Sequence, residues 1–125
     1  MKKLNSTYLF LIFGATIVGC SKNRTPEEVV TDYTNYMSTG DCEAAMDLCI
    51  GDAKMVAQGS IDAGCKPYET KIDSVACTIV GDTAKCYCYE YRTEYGAMPF
   101  PYELIKEAGY WKLTTTTKDI EDNEE

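Results

Sequence analysis

"KIDSVACTIVGDTAKCYCYEYRTEY", Lys71 to Tyr95, decides the fold. Two runs rich in β-branched and aromatic residues flank Gly81-Asp82, a two-residue hairpin signal. With that loop Val80 pairs with Thr83 and Ile79 faces Ala84. Two steps further, Cys77 faces Cys86. The alternation makes this a non-hydrogen-bonded pair, where side chains approach most closely. A second hairpin follows. "PYELIK" and "YWKLTTTT" flank Ala108-Gly109, which sets Trp111 opposite Lys106 and Leu113 opposite Leu104. Pro99 and Pro101 punctuate the stretch between the hairpins, which reads as a loop.

Upstream the grammar is helical. Thr25 caps a helix, Pro26 fits its first position and Glu28 completes a capping box. Val29, Val30, Tyr33, Tyr36 and Met37 then share one helical face, and Gly40 ends it. Asp41 caps a second helix, "CEAAMDLC" (42–49), whose stripe is Cys42, Ala45, Met46 and Cys49. Gly51 breaks this helix, and Asp52 opens a short third one running to Gln58. Gly59 to Pro67 reads as a loop carrying Cys65. Helices first and four antiparallel strands after define an α+β domain, with helices packed on one face of a four-stranded antiparallel sheet.

The start of the chain speaks to its address. Lys2 and Lys3, an apolar core from Tyr8 to Val18 and then small residues follow the order of a secretory signal. As a helix, Tyr8 to Gly19 reaches about 18 Å against a hydrocarbon core of about 30 Å, too short to span a membrane comfortably. Ile17-Val18-Gly19-Cys20 resembles the bacterial lipobox, with Ile17 where Leu is usual. The resemblance implies a diacylglyceryl group on the Cys20 thiol, cleavage before it and a lipid bilayer as partner. Residues 1–19 are then a signal peptide and 20–25 a lipidated N-terminus with a short tether. A single domain occupies 26–117, and 118–125 form an acidic disordered tail. Ser21, where an Asp would hold such a protein in the inner membrane, implies an outer-membrane lipoprotein facing the periplasm.

Charge and cysteines narrow the function. The signal takes two of the 12 basic residues and none of the 20 acidic ones, so its removal moves the net charge from −8 to −10. Such a surface repels phosphate backbones, which argues against nucleic acid as partner. Beyond Cys20 six cysteines remain: Cys42, Cys49, Cys65, Cys77, Cys86 and Cys88. In an oxidising envelope an even set reads as disulfides. With no histidine in the chain and no CxxC, neither a zinc site nor a redox motif is expected, and no cofactor is implied. Within one helix the Cα atoms of Cys42 and Cys49 lie about 10.5 Å apart, too far to bridge, and Cys86 and Cys88 on one side of a strand are poorly aimed at each other. Cys77–Cys86 is the favoured bridge. Cys88 then reaches Cys42 or Cys49, and Cys65 takes the other. The competing scheme ties all three strand cysteines to the helices and loop.

Tyr87, Tyr89 and Tyr91 alternate along one strand, opposite in face to Cys86 and Cys88. Three such rings form an aromatic strip for a ligand or a partner, a homodimer included, or a strand with half-exposed rings. Trp111 reads as core or as the wall of a pocket, into which Tyr33 and Tyr36 can point their hydroxyls. Glu43 and Asp47 read as a solvated helix face. Without histidine no Ser-His or Cys-His nucleophile system exists, and no catalytic residue is assigned.

"TPEEVVTDYTNYMSTGDCEAAMDLC" and "LIKEAGYWKL" together resemble the cystatin-like cone of the nuclear-transport-factor-2-like superfamily, and more narrowly its small bacterial lipoproteins of uncharacterised function. That resemblance implies helices on a curved sheet and a non-enzymatic module for binding or scaffolding. Either a small apolar ligand occupies the cone or an envelope protein docks on the tyrosine face. An isomerase or cyclase of the superfamily's type would need an Asp deep in the cone, and none is assignable.

Overall fold

A computed structural model describes residues 23–92 and 96–116 of the 125-residue chain. Cys20, the signal segment 1–19 and the tail 118–125 lie outside the described residues.

Helix α1, Pro26–Thr39, forms as its ends dictate. The Thr25 hydroxyl accepts from the Glu28 amide at 3.1 Å, and the Glu28 carboxylate accepts from the Thr25 amide at 3.0 Å. Arg24 Nε donates to Asp32 at 2.6 Å and fixes the entering chain on the helix. Gly40 closes α1 in the left-handed region at φ 86°, where a Cβ would meet the Cys65 carbonyl oxygen at 3.4 Å. Asp41 caps α2, Cys42–Met46, by accepting from the Ala44 amide at 3.3 Å.

Two helix boundaries depart from the sequence reading. Helix α2 is one turn long, not two. Leu48 to Ile50 leave it to lie along the last strand: the Leu113 amide donates to the Leu48 carbonyl at 2.9 Å, and the Ile50 amide donates to the Leu113 carbonyl at 2.9 Å. An extended pairing that satisfies a sheet edge outweighs one more helical turn. Helix α3, Gly51–Asp62, starts earlier and runs through Gly59. Ala53 and Ala57 bury its inner side, and Gln58 Nε2 donates to Asp62 one turn on at 3.0 Å. A glycine costs about 1 kcal/mol in such a position, which these contacts offset.

Strands β1 (Lys71–Val80), β2 (Thr83–Arg92), β3 (Gly96–Glu107) and β4 (Tyr110–Thr115) form an antiparallel meander in the order β1-β2-β3-β4. The registers at both hairpins match the sequence reading: Val80 with Thr83, Cys77 with Cys86, Leu104 with Leu113, Lys106 with Trp111. In the first turn Gly81 alone takes positive φ, as a type II′ turn needs; in the second both Ala108 (φ 53°) and Gly109 (φ 86°) do, as type I′ needs.

Pro99 and Pro101 stand inside β3, not in a loop. They face Tyr89 and Tyr87 at non-hydrogen-bonded positions, so their nitrogens turn away from β2 and no β2–β3 ladder bond is lost. The core lies between helices and sheet. Val29, Val30 and Tyr33 of α1 meet Ala84, Cys86, Cys88, Phe100, Tyr102, Leu104, Trp111 and Leu113.

Among the described residues two disulfides close the fold, Cys77–Cys86 across the first hairpin and Cys42–Cys65 between α2 and the segment after α3. The Cα atoms of Cys77 and Cys86 are 4.0 Å apart, as befits a non-hydrogen-bonded pair. The expected third bridge, from Cys88 to a helical cysteine, is not formed, and the scheme tying all three strand cysteines to the helices does not occur. Cys88 and Cys49 stand outside both bridges as buried thiols. Cys49 Sγ donates to the Ala45 carbonyl, four residues back, at 3.4 Å.

Candidate functional site

The two faces of the sheet differ in kind. Strand β2 alternates strictly: Ala84, Cys86, Cys88 and Glu90 are buried, while Tyr87, Tyr89 and Tyr91 are 50%, 41% and 52% exposed. The helices pack against the inner face, so the three rings lie on the outer one. Across the ladder Tyr87 stands beside Ala76 and Pro101, and Tyr89 beside Ser74 and Pro99. Small residues on β1 and prolines on β3 leave the rings standing proud. Among the described residues no helix covers this face.

The inner face holds a polar cluster at the end of β2. Glu90 is completely buried; one carboxylate oxygen accepts from the Thr70 hydroxyl at 2.7 Å and from Arg92 Nε at 3.1 Å. The other oxygen, also buried, accepts no hydrogen bond among the described residues. The Arg92 guanidinium lies 4.6 Å from the centre of the Tyr68 ring and 4.5 Å from that of Phe100. Burial works against the charge of Arg92, but Glu90 beside it raises the guanidinium's pKa overall. Planar stacking and a fixed donor fork suit arginine here and not lysine.

The same cluster governs its neighbours. Burial, reinforced by the Glu90 charge, pushes the Cys88 thiol up to about 12 from an ordinary 9.0. Burial and Glu90 likewise raise the Tyr102 hydroxyl, which meets Tyr33 edge-on at a ring separation of 6.0 Å. The Thr34 hydroxyl sits near both the Cys88 thiol and the Tyr102 hydroxyl, outside good hydrogen-bond geometry to either. Burial also raises Tyr68. Tyr68 lines in addition an open cleft of about 420 Å³ with Met37, Ser60, Ala63, Lys66 and the Cys42–Cys65 bridge.

Trp111 is core, its ring 5.6 Å from Lys106 Nζ, and Tyr33 is buried against Tyr102. Tyr36 is partly buried and packs against the rim of the hydrophobic core. Glu43 and Asp47 are exposed. Sequence reasoning missed Glu90 and Arg92, although a signal existed. The alternation that turns Cys86 and Cys88 inward necessarily turns Glu90 and Arg92 inward too. Among the described residues no group of histidine, cysteine and carboxylate side chains is arranged to hold a metal.

The fold superposes on a Campylobacter jejuni crystal structure described as a "Putative NTF2-like transpeptidase", with a TM-score of 0.53 and 16% identity. The match covers 74% of this chain and 99% of the other. The domain therefore has a nuclear-transport-factor-2-like α+β fold. No protein-family model matches the chain, and no curated protein matches it.

Proposed function

We propose that this protein is a lipid-anchored, non-enzymatic envelope protein that binds a partner protein through its outer sheet face. The observation that carries the reading is the strip of Tyr87, Tyr89 and Tyr91, each about half exposed, in register with Pro99 and Pro101. Tyrosine and proline offer rigid contact area at low conformational cost, the chemistry enriched at protein interfaces. Small-molecule sites are concave, whereas this is an open sheet face. On the inner face, where an apolar ligand would sit, Phe100, Tyr102, Leu104, Trp111 and Leu113 pack into one buried cluster.

The neighbour's name raises transpeptidation, which needs an activated nucleophile. Among the described residues the two cysteines outside disulfides, Cys49 and Cys88, are buried, and Cys88 keeps its proton up to about pH 12, so neither offers an accessible thiolate. Ser60 and Lys66 line the cleft, but among the described residues no hydrogen bond joins them. The lipobox at Ile17 to Cys20 supplies the anchor.

Two measurements test the proposal. Growth with an alkyne-tagged fatty acid should label the wild-type chain and leave Cys20→Ser unlabelled. A photo-cross-linking residue placed at Tyr87, Tyr89 or Tyr91 in intact cells should give one discrete protein adduct. The same residue at Met55, which is more exposed still on α3, should give none. Identical adducts at Met55 and the tyrosines, or an unlabelled wild type, would refute it.

A further inference from the structure

Strand β1 is an edge, and among the described residues no backbone hydrogen bond reaches its outer side. The opposite edge, β4, is closed by the Leu48–Ile50 strap. Val80 and Thr83 flank the two-residue turn and bond to each other, so the backbone groups of Ser74, Ala76, Thr78 and Val80 face β2. Those of Val75, Cys77 and Ile79 therefore point outward with no ladder partner. The segment Ser74 to Val80, "SVACTIV", contains no charge, no proline and no glycine. Its last two residues are apolar and open, Ile79 at 51% and Val80 at 71% exposure. Proteins normally blunt such an edge with charge, a bulge or a cover. Among the described residues the one such device lies at one end, where the ladder shifts between Ile72 and Ser74 and leaves Asp73 out.

We infer that this edge pairs with the same edge of a second copy, antiparallel, about a two-fold axis at Cys77. The Asp73 irregularity ends the usable segment at Ser74 and the turn ends it at Val80, and Cys77 is its midpoint. In that register Val75 faces Ile79 of the other copy, Ala76 faces Thr78 and Ser74 faces Val80. No charged residue stands opposite a like one anywhere in the segment. The outward groups of Val75, Cys77 and Ile79 then meet as hydrogen-bonded pairs, about six bonds in all. The pairing is isologous, each copy giving and receiving the same contacts. It leaves the tyrosine face untouched and is independent of that face's proposed role.

Sedimentation of the full chain in detergent tests this against the outer-face dimer. The wild type should sediment as a dimer. Ile79→Lys, which places a charge on an already exposed position of the edge, should weaken dimerisation at least about tenfold. Tyr89→Ser should leave it unchanged. Amide exchange gives a readout free of any variant. The N–H groups of Val75, Cys77 and Ile79 should gain protection as concentration rises, while those of Ala76 and Thr78 are protected at every concentration. A wild type that stays monomeric throughout would give the edge to a strand from a different protein and overturn the inference. So would a dimer that survives Ile79→Lys and dissociates on Tyr89→Ser.

Discussion

Removing the Cys42–Cys65 bridge should cost more than its place beside a loop suggests. The bridge joins residues 23 apart, whereas Cys77–Cys86 joins residues nine apart inside an already hydrogen-bonded hairpin. From loop-closure entropy the longer ring contributes about 3.4 kcal/mol and the shorter about 2.6 kcal/mol. For a domain of this size a loss of about 3.4 kcal/mol lowers Tm by about 15–25 °C. The local backbone refines the expectation. Cys65 sits at φ 45°, a left-handed conformation costing about 1–2 kcal/mol for a residue with a Cβ. Once the bridge is gone, nothing about the sulfur requires that residue. Cys42→Ala/Cys65→Gly should therefore recover about 1 kcal/mol relative to Cys42→Ala/Cys65→Ala. Urea unfolding of the three proteins measures both effects. The uncrosslinked forms should also show a larger m-value, since their unfolded chains expose more surface. A loss below about 1 kcal/mol with an unchanged m-value would refute the argument from chain entropy.

Three further outcomes follow from the same geometry. Ala108→Gly should stabilise the protein by about 1 kcal/mol, because the type I′ turn holds an alanine at φ 53°; a lower urea midpoint would contradict this. Arg92→Ala should cost on the order of 3 kcal/mol by leaving the fully buried Glu90 without its countercharge, a loss that equilibrium unfolding at pH 7 would reveal. Stability should also fall in alkali. Cys88 holds its proton to about pH 12 in the fold against an ordinary 9.0, so its contribution is complete below pH 9 and drains away as pH climbs towards 12. Tyr68 and Tyr102, both raised from 10.0, add to the same decline from about pH 10 upward. Urea midpoints across this range should drop less steeply for Cys88→Ala than for the wild type.

What could be read in the chain was whatever local chemistry decides. Caps and turns are short-range, so Thr25, Glu28, Gly40, Gly81 and Gly109 announce themselves, and two-residue turns fix the registers that follow. Where tertiary partners compete with local preference, reading failed. Leu48 and Cys49 read as the end of a helix whose stripe runs from Cys42 to Cys49, yet they serve β4, because an unpaired edge costs more than a lost turn. Pro99 and Pro101 resemble loop punctuation until the partner's hydrogen-bond phase is known. Glu90 and Arg92 went unnoticed because their meaning is mutual: each is explicable inside only with the other, and with the Tyr68 and Phe100 rings. The outer tyrosines were legible as a strip because alternation alone assigns a face.

The strap at Leu113 has a consequence for growth. A sheet with two bare edges can add copies indefinitely, each new strand presenting another acceptor for the next, and so run on into a filament. Here Leu48 and Ile50 occupy the backbone groups of Leu113 and blunt one end of the ladder. Among the described residues that leaves β1 as the open edge, so pairing of the kind inferred above would end with one partner rather than run on through the sheet.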